Sequence, residues 1–454
     1  MTQSRRAFLG IAGTGVVAGT AVALAGSTPA NASPTTGIFN VMDYGATGNG
    51  TTDDTAAIQA AINAAAAYGA GGSTGAVVIL PAGKYVIGWS PGLIMKPGVS
   101  LEGVGWNGPT PANPPTAASV ARFGTWILAK AAPSTAALPV IDISDPAARG
   151  CSIRRIAFDH VDQTPFPVNS GAGAPPTPWT PNLNYGATIY IVAENVLIED
   201  VMMARPTYGI NIYGGNRTVI HRLFGQPFSY GLQVDNNTDV IHVSDVHFWP
   251  FSDNWVAVNT PRDWTFHHGR AIQLLRCDNA MFQSVFAIGY EVGFYLLGGA
   301  SGPPSQIHIS NSDIDSALYG IYLKVAYASL LLSNVGLHGI ASQNFSLFSA
   351  PYGDALLRIE GDSSVVHASN LWISYSYINA IRITGTSCRL ASENLWVQYW
   401  NTQNTTSFAS VDVAAGSSVY MGLNSKFDAL AGTLAPAAPN THVNPHTAWL
   451  TTTS

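Results

Sequence analysis

From about residue 150 onward one short pattern recurs along the chain. A polar or small residue is followed by an apolar or small one, a variable one, and then a mostly apolar one. The leading residues are Arg155, Asp200, Arg222, Asp245, Ser284, Asn311, Asn334, Asn370 and Asn394, at intervals of 45, 22, 23, 39, 27, 23, 36 and 24. Asn370-Leu371-Trp372-Ile373 and Asn394-Leu395-Trp396-Val397 are the clearest pair. A second column follows some nine residues later, as Gly209-Ile210, Gly231-Leu232, Gly293-Phe294, Gly320-Ile321 and Ala380-Ile381. A third stretch precedes the first, for example Ile241-His242-Val243 and Ile307-His308-Ile309. Alternation of this kind marks half-buried strands. One three-strand unit cannot bury its apolar face alone, but it can when stacked on copies of itself. Short intervals of 22–27 residues with three strands each predict a parallel β-helix, and the long intervals fit inserted loops or a missed rung. A stacked Asn column suits such a coil, because Asn tolerates the left-handed backbone and can bond to the next rung. A β-propeller, the main competitor, needs blades of about 40–50 residues.

Residues 39–87 break this pattern. They read as a strand, a Gly-rich turn and an Ala-rich helix capped by Asp or Thr, followed by Val77-Val78-Ile79-Leu80-Pro81-Ala82-Gly83-Lys84-Tyr85. Such a helix would close the open end of a solenoid. The motif Val41-Met42-Asp43-Tyr44-Gly45-Ala46-Thr47-Gly48-Asn49-Gly50, continued by Thr52-Asp53-Asp54-Thr55 and Ala57-Ile58-Gln59, resembles the start of the rhamnogalacturonase/epimerase-like pectate lyase family. That family also includes domains of phage tailspikes. The resemblance implies an all-β, right-handed parallel β-helix with an N-terminal capping α-helix, acting on or binding polysaccharide. It implies structural roles for Asp43, Asp53 and Asp54. By analogy with tailspikes it admits a homotrimer. It does not fix the reaction: Gly-His-Gly, Arg-Ile-Lys and Asp-Pro-His-Glu, which would mark polygalacturonases or alginate epimerases, are absent.

Composition narrows the class. The 454 residues carry a net charge of −6, only 10% charged residues, and 45 Gly and 28 Pro. Five Lys give no basic stripe, which argues against nucleic acid as a partner. Arg5-Arg6, an uncharged stretch to Gly26 and Ala30-Asn31-Ala32 read as a twin-arginine export signal over 1–32. The expected product is secreted, periplasmic or on the cell surface, with no membrane attachment after cleavage. The β-helix is expected over 37–430, with its cap at 37–87, and a loosely ordered tail over 431–454. Cys151, Cys277 and Cys388 read as small buried hydrophobes.

Strand alternation sorts the side chains. Positions two and four after the polar column face outward, as Met202/Ala204, Phe224/Gln226, His247/Trp249, Phe286/Ile288, Asp313/Asp315, Gly336/His338, Trp372/Ser374 and Trp396/Gln398. On the next strand Asn211, Gln233, Gln273, Tyr295, Tyr322, Arg358, Arg382 and Asp412 face outward. Rings for stacking on sugars, and amides and charges for hydroxyls or carboxylates, are what a glycan groove needs. The same rings would also serve a subunit interface or lie beneath a loop. Asp313 and Asp315 are the candidate catalytic acids. Two residues apart on a strand, they stand roughly 6.5–7 Å apart. An inverting glycosidase places its carboxyls about 6.5–9.5 Å apart, a retaining one about 5–5.5 Å. Candidate substrate contacts are Tyr295, Tyr322, Arg358, Arg382, His338, Trp372, Trp396, His247 and Trp249. Asp159 and Asp162 form a second candidate acid pair. Outward His242, His308 and His367 read as surface residues, and adjacent His267 and His268 do not make a metal site by themselves.

The sequence therefore predicts an exported glycoside hydrolase acting on a polysaccharide or cell-surface glycan, with no cofactor. A lyase eliminating across a uronic acid linkage is the alternative. It would use Arg358 or Arg382 as proton acceptor near Tyr322 and could call on Ca²⁺. A non-catalytic glycan-binding or structural surface protein is the third reading.

Overall fold

The computed structural model describes residues 36–68, 75–88, 92–108, 122–130, 138–165, 177–251, 258–341, 348–402, 409–422 and 424–429. The expected export signal and C-terminal tail lie outside the described residues. The turn of chain around residue 240 shows the repeating unit. Tyr230–Asp235 forms one strand, a turn follows, and Ile241–Phe248 forms a longer strand bent at Asp245. The short strands stack in parallel register into an 11-stranded sheet, the first face. The long strands stack into a second sheet of 18 described strands, whose halves before and after the bend make the second and third faces. The coil is a right-handed parallel β-helix, as the repeat and the family resemblance predicted.

All nine residues of the polar column have positive φ, between 48° and 58°. The column is therefore the bend itself. A left-handed residue costs an ordinary L-amino acid about 1–2 kcal/mol, and Asn least. Stacking recovers part of that cost. The Asn334 amide donates to Asn311 at 3.0 Å, Asn370 to Asn334 at 2.7 Å, Asn394 to Asn370 at 2.8 Å and Asn424 to Asn394 at 3.0 Å. Nearer the N-terminus the same column uses charge, with Arg222 on Asp200 at 3.2 Å. Asn370→Ala removes one bond given and one received, and is expected to lower stability by about 1–2 kcal/mol. Urea unfolding checks this; an unchanged midpoint would leave the ladder without energetic weight.

Inside the coil, apolar residues from all three faces merge into one core running from Phe39 to Met421. Cys151, Cys277 and Cys388 are buried and unbridged within it. Four first-face strands carry glycine as their second residue for a steric reason. A Cβ at Gly231 would come within 2.2 Å of the Phe248 ring and 2.7 Å of the Ala271 carbonyl.

Helix α1 (Thr55–Ala66) turns Ile58, Ala61, Ile62 and Ala65 into the N-terminal end of this core. The Asp residues of the motif divide the work. Asp53 accepts from the Thr55 amide at 2.9 Å, in the first turn of the helix. Asp54 does not cap the helix; it is buried and accepts from the Thr47 and Gly48 amides at 2.7 and 3.1 Å, fixing the Gly-rich turn. A second helix, α2 (Pro261–His268), was not foreseen. It lies in the long insertion after Asp245, is capped by Thr260, and packs Phe266 against Ile340 and Phe348.

Candidate functional site

The predicted outward residues fall into two registered ladders. On the third face Phe224, His247, Phe286, Asp313, Gly336, Trp372 and Trp396 pair strand to strand. On the first face Asn211, Gln233, Gln273, Tyr295, Tyr322, Arg358, Arg382 and Asp412 do the same. The ladders do not merge into one continuous surface. At the turns between them stands an apolar wall of Phe266, Ile340 and Phe348, with Leu318 and Tyr352 packed against it.

Asp313 and Asp315 sit at the centre of the third-face ladder, and their surroundings differ. Asp313 is half-exposed, with one carboxylate oxygen 3.0 Å from His338 Nε2. The other ring nitrogen, Nδ1, lies 2.7 Å from the hydroxyl of Ser374, a buried residue. With Ser374 donating to Nδ1, Nε2 carries the proton beside the Asp313 carboxylate, a close contact whose angle falls short of a hydrogen bond. Asp315 is more enclosed. Burial raises its pKa above the ordinary carboxylate range, against the opposing pull of its Ser316 hydrogen bond and of His338. Two carboxyl groups with unlike environments are the usual basis for dividing acid and base roles.

Gly336 makes this arrangement fit. It is the outward position between Asp313 and Trp372, and a Cβ there would lie 2.7 Å from His338 Nε2 and 2.9 Å from an Asp313 oxygen. The missing side chain leaves a notch bounded by Asp313, His338 and Trp372. Trp372 meets the His338 ring edge-on at 4.5 Å and stacks on Trp396 at 5.4 Å with 14° between planes. Both indoles are exposed, at 40% and 37%. Trp396 is oriented by donating to Asp428 at 2.9 Å.

Toward the N-terminus the third face is covered. Met202 and Ala204, expected outward, are buried in a cluster with Trp126 and Phe251, with Trp106 and Trp249 packed alongside. The Trp106 indole donates to the Asp200 carbonyl at 2.8 Å, which fixes the ring at this end. Trp249 is therefore part of a wall, stacked against His247 at 4.4 Å, rather than an open platform. His247 is half-buried, which lowers its pKa.

On the first face the expected sugar contacts largely serve one another. Gln273 donates to Gln233 at 2.6 Å, and Gln233 to Asn211 at 3.4 Å. Tyr295 is corrected as a stacking platform: only 7% exposed, it lies between the Arg270 guanidinium and the Tyr322 ring, each 5.4 Å away. Tyr322 hydrogen-bonds Glu360. Burial, and then that bond, push the phenol well above its usual pKa. Arg358 and Arg382 converge on Asp354, Arg382 at 2.6 Å, and Arg382 also reaches Asp412 at 3.2 Å. Burial opposes the Arg358 charge, but the hydrogen bond and charge of Asp354 outweigh it and raise its pKa. The proton-accepting role that the lyase reading gave these arginines is not supported: both are engaged by a carboxylate. The second acid pair is corrected too. Asp159 is buried and takes two bonds from Arg205, both 2.8 Å, and one from Arg122, so it is a structural ion-pair centre.

Sequence reasoning missed the Ser374–His338–Asp313 array and Asp354, the shared anchor of two arginines. Gly336 was legible as the one bare outward position in an otherwise large-residue ladder.

Residues 38–135 match the family model described as rhamnogalacturonase A/epimerase, pectate lyase-like. The match is confined to this N-terminal segment, less than a quarter of the chain. Over 72 residues the chain is 51% identical to the mannuronan C5-epimerase AlgE4 of Azotobacter vinelandii, which is 15% of this chain and 12% of that protein. It is 47% identical over 72 residues to alginate lyase 7 of the same organism, 15% of this chain and 8% of that one. The chain thus covers only a small part of the length of the curated relatives it matches. The fold match is broader. DFA-IIIase from Arthrobacter chlorophenolicus A6 aligns with a TM-score of 0.54 at 13% identity, over 86% of this chain and 94% of that one. The family 28 exopolygalacturonase of Yersinia enterocolitica aligns with a TM-score of 0.52 at 14% identity, over 87% and 75%. At such identities the likeness is one of fold.

Proposed function

We propose that the protein is an exported enzyme that cleaves a polysaccharide by glycoside hydrolysis on its third face. The observation that carries the reading is the unequal pair: Asp315 partly buried with a raised pKa, Asp313 half-exposed with His338 3.0 Å away. Asp315, protonated, would give its proton to the leaving oxygen. Asp313, ionised, would activate water, the spacing along the strand leaving room for it. His338 and Ser374 orient Asp313, and Trp372 and Trp396 supply ring faces for neighbouring sugars. Names among the relatives, an epimerase, an alginate lyase and an exopolygalacturonase, support a carbohydrate polymer as substrate. The engaged arginines and raised Tyr322 pKa weigh against elimination.

The test is incubation of residues 33–454 with acidic and neutral polysaccharides, following reducing ends and unsaturated uronate absorbance. Reducing ends without unsaturation are expected. Unsaturation would replace hydrolysis with elimination, and silence across the panel would favour a binding protein. Trp372→Ala/Trp396→Ala is expected to raise KM about tenfold, some 1.4 kcal/mol, with kcat little changed. An equal fall in kcat with unchanged KM would contradict the stacking role.

A further inference from the structure

The second face, on the other side of the asparagine ladder, carries an open trough of about 660 Å³. Two rows of side chains line it. In one, the exposed imidazoles of His242, His308 and His367 alternate rung by rung with Met281 and Leu331, and the row ends at Tyr420. Met281, Leu331 and Tyr420 are 41%, 41% and 50% exposed, among the most exposed large apolar side chains described. In the other row Ser310, Ser333 and Ser369 stand in register, flanked by Gln283 and Glu393.

We infer that this trough is a separate, non-catalytic binding site for a single extended polysaccharide chain. Each rung offers one ring or hydrocarbon surface and, one strand position across, generally a hydroxyl or amide. A sugar residue presents that same pair, a C–H face and a hydroxyl edge. Rungs recur about every 4.8 Å, close to the advance of one sugar in an extended chain, so one ligand can repeat its contacts along the row. From His242 to Tyr420 the row spans seven rungs, roughly 29 Å. Two side chains of width admit one polymer strand. A neutral imidazole both donates and accepts, and so pairs with hydroxyls of either sense. Among the described residues no Lys or Arg lines the trough, which separates it from sites for nucleic acid. A second copy of this chain fits poorly, since Ser and Glu are depleted from the cores of protein interfaces. The inference goes beyond the hydrolytic reading and does not depend on it.

Affinity electrophoresis of residues 33–454 at pH 7.5, in native gels containing hydroxyethyl cellulose, alginate or polygalacturonate, tests it. The protein should be retarded in at least one gel. His308→Ala/Leu331→Ala/His367→Ala should weaken that retention at least fivefold, while Trp372→Ala/Trp396→Ala leaves a measurable part of it. The substituted side chains are exposed, and an unchanged circular dichroism spectrum verifies the fold. Retention in none of the gels overturns the inference. So does retention that only the Trp variant abolishes, because the binding then belongs to the third face. Sedimentation showing an oligomer that the triple variant dissociates overturns it as well, in favour of a contact between copies. Retention needs no turnover, so a failed hydrolase assay leaves this result readable.

Discussion

Asp315→Asn should lower turnover by about 10²–10⁴-fold, the usual weight of a general acid, and abolish the alkaline limb of the pH–activity profile. Asp315 is partly buried on the third face, and that burial raises its pKa. It therefore keeps its proton into a range where an exposed carboxyl has lost it. Wild-type activity should fall as pH rises through this elevated value. Asp313→Asn should cost a comparable factor, because water activation needs that carboxylate. Stability should move the opposite way from activity at position 315. A carboxyl whose folded pKa lies above its unfolded value contributes stability fully below the unfolded value, about 3.9. The contribution is lost as pH rises through the folded value. Asn cannot ionise, so Asp315→Asn should gain melting temperature over wild type between pH 4 and pH 7. Full activity in the variant, with an unshifted profile, would sink the assignment of Asp315 as the acid.

Asp159→Ala should be the most destabilising single change to a charged residue in the N-terminal half, at about 3 kcal/mol. Its side chain is 2% exposed, while those of Arg122 and Arg205, which converge on it, are 20% and 22% exposed. Removing one partner of a buried pair typically costs about 3–5 kcal/mol, because charge is left without its compensation. The partial exposure of both arginines puts the expectation at the lower end. Urea unfolding would register the loss as a lower midpoint with an unchanged slope. Turnover per folded molecule should stay near wild type. A variant that unfolds normally but has no activity would return Asp159 to the list of catalytic candidates.

The two ladders show how far alternation alone reaches. Once the polar column was recognised, counting two and four places along gave the third-face positions. The next apolar stretch gave the first-face ones, and the observed register pairs those residues in that order. Periodicity says which way a side chain leaves its strand. It does not say what lies over it. Met202 and Ala204 point outward and are nevertheless buried, because Trp126, Phe251 and Trp106 cluster with them. Tyr295 points outward and is buried because Arg270 and Tyr322 close on it from either side. Asp159 read as half of an acid pair until Arg122 and Arg205, remote in sequence, met on it.

The sequence by itself determined the coil, its bends and its N-terminal seal, since each depends on local preference repeated in register. Asn at a left-handed bend, Gly where strands begin closely packed, and apolar residues at alternate positions are choices each rung makes for itself. The tertiary structure decided the chemistry. The Ser374–His338–Asp313 array draws on three rungs spaced by loops of unequal length. The raised pKa of Asp315 comes from the enclosure around it, and the wall between the ladders comes from α2 meeting Phe348 and Ile340. Such properties depend on which distant residues become neighbours and how much water they exclude, and no single repeat encodes either.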